Sequence, residues 1–231
     1  MVGNDMTIDE VVRRIGEVGI IPVVRAASVD EASRAVEAIC AGGIPIVEVT
    51  MTVPNAVSVI REVAEQYRGK ALVGAGTVTS AQQAEECILA GAEFLVSPGL
   101  CGPVLAVART RAILAIPGAL TPTELMHAQE QGASLIKIFP CGNVGGAKYV
   151  RSLRAPFPNA LLIPTGGVNA ANAADFIAAG AFALGVGADL VDAKALREGN
   201  LEKIISGAKE IVRAVASARS KDGQPSVPST H

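Results

Sequence analysis

The chain has 231 residues, 50% hydrophobic and 18% charged, which is enough to bury one large core within the size range of a single α/β domain. Aromatics are only 3% and Trp is absent, so the core is built from Ala, Val, Ile and Leu, which suits helix-covered parallel strands and disfavours an all-β sandwich. A net charge of −2, with no run of Lys or Arg, argues against a nucleic-acid partner.

Amphipathic stretches alternate with short apolar runs nearly from end to end. A helix over 7–17 precedes a strand over 20–24 and a helix over 29–40. A strand at 44–49 and a helix at 55–66 follow, then 71–73 with 81–90, 94–96 with 103–110, and 112–115 with 123–131. The last strands are 135–139, 161–164 and 181–186, and an amphipathic helix over 201–218 ends the pattern. The runs are continuously apolar and bounded by Gly or Pro, as strands buried on both faces should be. The pairs Ala41-Gly42, Ala90-Gly91 and Ala179-Gly180 read as helix C-caps, with Gly in the left-handed conformation.

Eight such units with right-handed crossovers predict a single (β/α)8 TIM barrel with an extra N-terminal helix, over residues 1–219. A doubly wound open sheet is the competing architecture, and the lack of GxGxxG after the first strand disfavours it. Residues 220–231, polar with two prolines, are expected to form a disordered tail. Asp5, Asp9 and Glu10 interrupt any signal-peptide pattern, and no apolar run is long enough to span a bilayer. The cysteines (Cys40, Cys87, Cys101, Cys141) are dispersed without a CxxC pair. The expectation is a soluble, reduced, cytoplasmic protein without a membrane partner.

Lys137 interrupts the strand Leu135-Ile136-Lys137-Ile138-Phe139 near its C-terminal end, where barrel enzymes place their chemistry. Burying an ammonium is costly, and a neutral amine is a nucleophile whose natural targets are carbonyls. Glu48 sits in the same way within Ile46-Val47-Glu48-Val49-Thr50. The two groups could share one reaction, Lys137 as nucleophile and Glu48 as proton shuttle. The bland alternatives are a lysine that snorkels past the rim and an ion pair that is only structural. The only histidines, His127 on a helix and His231 in the tail, do not make a catalytic zinc site.

Glycine turns follow three strands: Gly74-Ala75-Gly76-Thr77, Thr165-Gly166-Gly167-Val168 and Gly185-Val186-Gly187-Ala188. The loops after the seventh and eighth strands are where barrels hold phosphate on exposed amides and a helix N-terminus, with Asn169 opening the helix after the seventh.

At these residues the chain resembles the class I aldolases that cleave 2-keto-3-deoxy-6-phosphogluconate and 4-hydroxy-2-oxoglutarate. The resemblance runs from about residue 20 to 211. It is carried by Val47-Glu48-Val49-Thr50, Gly74-Ala75-Gly76-Thr77-Val78, Ser97-Pro98-Gly99, Ile116-Pro117-Gly118, Ile136-Lys137-Ile138-Phe139-Pro140 and Pro164-Thr165-Gly166-Gly167-Val168. It implies a homotrimeric barrel that needs no metal or organic cofactor and binds a small keto acid, pyruvate with an aldehyde half. Lys137 matches the imine-forming lysine and Glu48 the proton carrier, while Thr165 hydrogen-bonds near the reacting atoms. Gly76, Thr77 and Pro98 match the pyruvate carboxylate pocket, Thr50 a substrate-side position, and Phe139 the ring beside the imine. Gly166, Gly167, Gly187 and Ala188 match the phosphate turn.

Two positions depart from that pattern. Many relatives carry an arginine where this chain has Thr52, and Arg25 at the end of the first strand is the candidate replacement cation. Ala188 stands where a serine is common, which removes one hydroxyl from the phosphate site. The competing substrates are 4-hydroxy-2-oxoglutarate and the phosphogalactonate epimer. The competing function class is a non-catalytic barrel that binds a sugar phosphate.

Overall fold

The structure is a computed structural model that describes residues 6–222. It opens with helix α1 (Ile8–Val18), whose N-cap Thr7 forms a capping box with Glu10 and whose C-cap is the left-handed Gly19. Strand β1 (Ile20–Val24) follows, then α2 (Val29–Ala41), β2 (Ile46–Thr50), α3 (Ala56–Gln66), β3 (Leu72–Gly76) and α4 (Ala81–Leu89). Next come β4 (Phe94–Val96), α5 (Gly102–Thr110), β5 (Leu114–Ile116), β6 (Gly118–Ala119), α6 (Pro122–Glu130) and β7 (Leu135–Ile138). A 3-10 turn leads to α7 (Ala147–Arg154), β8 (Leu161–Pro164), α8 (Ala173–Ala178), β9 (Leu184–Val186), α9 (Ala193–Arg197) and α10 (Leu201–Asp222).

Every strand pairing is parallel. Six strands run in the order β5-β4-β3-β2-β1-β9 and three in the order β6-β7-β8. Pro117 is all that separates β5 from β6, and its carbonyl accepts the Lys137 amide at 2.9 Å. At the other junction a parallel bridge joins Thr165 to Gly185, and the Phe182 amide donates to the Leu162 carbonyl at 2.9 Å. The result is an α/β fold around a curled parallel sheet.

Alternation along the strands sorts the apolar residues into two cores. Val47, Val49, Val73, Ala75, Leu162 and Leu184 face outward and pack with Ala35, Val36, Ile39, Val59 and Ile60 of the helices. Ile21, Ile46, Leu72, Phe94, Leu114, Leu135 and Ala183 face inward, near the N-terminal ends of their strands, and pack with Val11, Val12 and Ile15 of α1. The extra helix therefore covers the N-terminal end of the sheet's inner face. Arg219 of α10 braces the same end: its guanidinium donates to the carbonyls of Glu17 and Phe182, each at 3.0 Å, and fills the space above Gly19.

Several expectations change. The turn expected at Gly74-Ala75-Gly76-Thr77 is strand through Gly76, because β3 runs from Leu72 to Gly76 in register with β2. The strand expected at 112–115 begins later and is split into β5 and β6, because Pro117 has no amide N–H to continue the ladder. Helix α10 runs through Asp222, into the segment expected as a tail, while residues 223–231 lie outside the described residues. Gly42 is not a left-handed cap. Its φ is −76°, the left-handed residue is Gly43 at φ 94°, and Gly42 instead admits Ala208 of α10, which a Cβ would overlap. Gly91 and Gly180 do take the left-handed conformation, at φ 101° and 89°. Among the described residues no helix is long and apolar enough to cross a membrane.

Candidate active site

The buried polar side chains among the described residues are Glu48, Thr50, Ser97, Lys137 and Thr165, and each lies toward or just beyond the C-terminal end of a strand. Inward alternation explains why they meet. Glu48 follows Ile46 on the inner face of β2, Lys137 follows Leu135 on β7, and Thr165 follows Ile163 after β8. The apolar layer near α1 thus forms a floor, and the polar groups stand on it.

Lys137 Nζ lies 3.9 Å from Glu48 Oε1, with both side chains about 95% removed from solvent (5% and 4% exposed). It also lies 5.3 Å from the centroid of the half-buried Phe139 ring. Glu48 Oε1 is buried and accepts no hydrogen bond among the described residues. A buried pair kept only for structure needs close, fully satisfied hydrogen bonds to offset desolvation. This pair is held beyond hydrogen-bond distance, with an acceptor open, and so retains capacity for a bound molecule. The nearest thiol along the chain, Cys141, is pushed up to about 11 by burial and stays protonated near neutral pH, so it does not compete as a nucleophile.

The matched substrate positions surround this pair unevenly. Gly76 is directly beside Glu48: a Cβ there would overlap the carboxylate. Thr77 follows it, half-buried and left-handed at φ 57°. Pro98 is exposed, and its carbonyl packs against Gly118, the register partner of Lys137. Thr165 Oγ1 donates only weakly, to the Ile163 carbonyl at 3.3 Å, and its side chain fills the space beside Gly185.

Thr50 does not present a free hydroxyl. Its Oγ1 donates to the Val24 carbonyl at 3.1 Å and lies 2.7 Å from Thr52 Oγ1. These bonds tie the end of β2 to the end of β1, from which Arg25 emerges solvent-exposed. Arg25 is thus placed at the C-terminal end of β1 and exposed.

The two glycine turns are neighbours because Thr165 bridges Gly185. Gly166 and Gly167 are left-handed, at φ 92° and 73°. The Gly166 carbonyl accepts from Gly142 at 2.9 Å, and the Gly167 carbonyl accepts from Asn172 Nδ2 at 2.8 Å, so both carbonyls are turned away into the protein. The amides of Gly167 and Ala188 donate to no acceptor among the described residues, and both residues are exposed. Asn169 Oδ1 accepts from the amides of Ala171 and Asn172, capping the turn that leads into α8.

Sequence reasoning gave Ser97 no site role and placed Gly185 only in a phosphate turn, whereas Gly185 lies within β9 beside Thr165. Ser97 Oγ donates to the Gly99 carbonyl at 2.7 Å, and the same carbonyl accepts from the Gly118 amide at 3.3 Å, which together fix the Pro98 turn over β6. Its signal was only a serine before Pro-Gly, which reads as an ordinary turn.

A family model described as "Aldolase: KDPG and KHG aldolase" matches residues 8–206. The chain is 37% identical over 193 residues to the KHG/KDPG aldolase of Escherichia coli (strain K12), covering 84% of this chain and 90% of that protein. It is 33% identical over 172 residues to the 2-dehydro-3-deoxy-6-phosphogalactonate aldolase of the same organism, covering 74% and 83%. A crystal structure of KDPG aldolase from Legionella pneumophila, with pyruvate captured at low pH as a covalent carbinolamine intermediate, superimposes with a TM-score of 0.80 at 29% identity, covering 86% of this chain and 96% of that one.

Proposed function

The chain belongs to the KDPG and KHG aldolase family and is a class I aldolase; from that premise we propose that Lys137 is the imine-forming lysine and Glu48 its proton carrier. The observation that carries this reading is the buried Lys137–Glu48 pair at 3.9 Å, with one carboxylate oxygen unpartnered.

The chemistry follows from the placement. The Lys137 amine adds to the C2 keto carbon to give a carbinolamine, which loses water to give an iminium. Glu48, directly or through a water, removes the proton from the C4 hydroxyl. The C3–C4 bonding pair then moves into the iminium as the C4 oxygen becomes the aldehyde carbonyl. Pyruvate is left as an enamine on Lys137, takes a proton at C3, and is released by hydrolysis. Thr165 hydrogen-bonds near the reacting atoms, Gly76, Thr77 and the Pro98 turn receive the pyruvate carboxylate, and Phe139 lies against the imine.

The preferred substrate in this reading is 2-keto-3-deoxy-6-phosphogluconate, yielding glyceraldehyde 3-phosphate. Support comes from the exposed amides of Gly167 and Ala188 on adjoining turns, joined by Gly166 and Gly187. Arg25 supplies the cation at the rim. A second reading, 4-hydroxy-2-oxoglutarate, is favoured by Ala188, which carries no hydroxyl, and by Thr52, whose hydroxyl is engaged with Thr50. The phosphogalactonate epimer differs only at C4, beside Glu48. Equal or higher kcat/KM on the unphosphorylated acid would select the second reading.

The fold in this reading is a closed eight-stranded barrel, with β5 and β6 as one strand broken at Pro117 and the Thr165–Gly185 bridge as the last seam. The assembly is a homotrimer. This rests on the family resemblance; an open groove of about 610 Å³, lined by Val29, Met51, Val53, Ala56 and Val57 together with Asn55, Ser58 and Glu62, is the candidate contact.

Borohydride trapping with pyruvate, read by intact mass, tests the mechanism. The expected result is one reduced adduct in the wild type and none in Lys137→Ala. An adduct that persists in that variant would remove Lys137 from the reaction.

A further inference from the structure

Four of the five buried polar side chains stand in register beside a glycine of the neighbouring strand. Glu48 pairs with Gly74, Thr50 with Gly76, Lys137 with Gly118 and Thr165 with Gly185. Glycine weakens a strand interior, so it persists there when something else occupies the space of the missing side chain. Backbone conformation does not require it at these positions: none of the four is among the glycines with positive φ, and alanine would fit the backbone at each. Space is the requirement, and what fills it differs from one glycine to the next. The Phe94 ring fills the gap at Gly74 and the Pro98 carbonyl the gap at Gly118. Reacting side chains fill the other two. A Cβ at Gly76 would overlap Oε1 of Glu48 and crowd its Cδ and Cγ, 2.5 and 2.6 Å away. A Cβ at Gly185 would overlap Oγ1 of Thr165 and crowd its Cβ and Cγ2, 2.9 and 3.0 Å away.

We propose that Gly76 and Gly185 are positioning residues of the aldol cleavage: each leaves a methyl-sized gap that seats one reacting side chain, Gly76 the Glu48 carboxylate and Gly185 the Thr165 hydroxyl. The gaps set where these oxygens stand relative to Lys137 Nζ. This rests on the reading of Glu48 as proton carrier and Thr165 as a partner of the reacting atoms. It assigns the two glycines a role in proton transfer that is separate from any contact with the substrate's carboxylate or phosphate.

The consequence is a defined split between steps. Displacing a catalytic oxygen by about 1 Å costs up to roughly 100-fold in rate without removing the group. Gly76→Ala is therefore expected to lower kcat for cleavage by about that factor, with a smaller change in KM and with borohydride trapping of pyruvate on Lys137 retained. Gly185→Ala is expected to lower kcat in the same sense. A role limited to carboxylate or phosphate binding would instead raise KM at unchanged kcat.

The decisive experiment is a pair of double-mutant cycles on the full chain, reading kcat and Tm together: Gly76→Ala with Glu48→Ala, and Gly185→Ala with Thr165→Gly, which also removes the Cβ that a methyl at 185 would meet at 2.9 Å. Once the seated side chain is truncated, the added methyl has room. The glycine substitution should then change kcat by less than about twofold and lower Tm far less than in the wild type. Equal losses of kcat and Tm in both backgrounds would overturn the proposal. If Gly76→Ala alone does not fold, folding of the double variant supports the seat, and failure of both variants overturns it. Wild-type turnover by Glu48→Ala would remove Glu48 from the proton path. In that case the Tm cycle alone decides whether Gly76 seats its side chain, and the two failures stay distinguishable.

Discussion

Two side chains carry the residue-scale argument, and each predicts a separate loss. Glu48 has an unpartnered buried oxygen 3.9 Å from Lys137 Nζ, and its proposed task is to move protons and not to create the imine. Glu48→Gln keeps the volume and removes the basic oxygen. Pyruvate trapping should persist while kcat for cleavage falls by about 10²–10⁴-fold, the usual contribution of a positioned acid–base group. Wild-type-like cleavage in a steady-state assay would show that some other group moves the proton. Arg25 is solvent-exposed just beyond β1, and its proposed role is substrate binding. Arg25→Ala should raise KM for the phosphorylated substrate by about tenfold or more, the worth of one charge-assisted hydrogen bond, and leave pyruvate trapping unchanged. An unchanged KM would place the cation elsewhere. Glu48 and Lys137 stood out in the sequence because a charge inside an apolar strand is conspicuous, whereas Arg25, just beyond β1, came only from the resemblance. The roles of Ser97 and Gly185 did not stand out, since they lie in a turn bond and an empty volume that only neighbouring strands reveal.

At the scale of elements, order and type followed from periodicity, whereas the boundaries depended on local chemistry. Pro117 breaks a strand that its apolar neighbours would continue, and Gly42 and Gly43 exchange roles because α2 approaches α10 closely. The short helix α9 shows how a cap adds pH sensitivity. Asp192 Oδ1 accepts from the amides of Lys194 and Ala195 at 2.7 and 2.9 Å, and Oδ2 meets Lys203 Nζ at 2.6 Å. The Lys203 hydrogen bond first, and the helix amides with it, hold this carboxyl at about 2, below its ordinary 3.8. A lowered folded-state value stabilises the fold above the ordinary value, and that contribution is lost as pH falls through the window from about 4 to about 2. In urea titrations across that window, Asp192→Asn should show a flatter fall of the midpoint with pH than the wild type. Parallel curves would exclude Asp192 from the acid response.

For the whole molecule, the resemblance and the alternating pattern made the architecture legible, while the seams of the sheet and the faces left for other copies were not. Those depend on curl and on surfaces that no local pattern encodes. If the chain forms the proposed trimer, sedimentation should give three times the chain mass, and Val57→Lys in the groove that also holds Asn55, Ser58 and Glu62 should shift it toward the monomer. A wild type that sediments as a monomer would contradict the assembly. One feature of the fold also sets the order of events. Because α1 packs on the N-terminal end of the inner face, Lys137 stands above an apolar floor, and in the proposed reading substrate and products use the opposite, C-terminal end. If Lys137 holds pyruvate as proposed, the covalent product departs last, after the aldehyde has left. Such a queue makes pyruvate a competitive product inhibitor and the aldehyde a noncompetitive one, so the plug at one end of the sheet is legible in the inhibition pattern at the other.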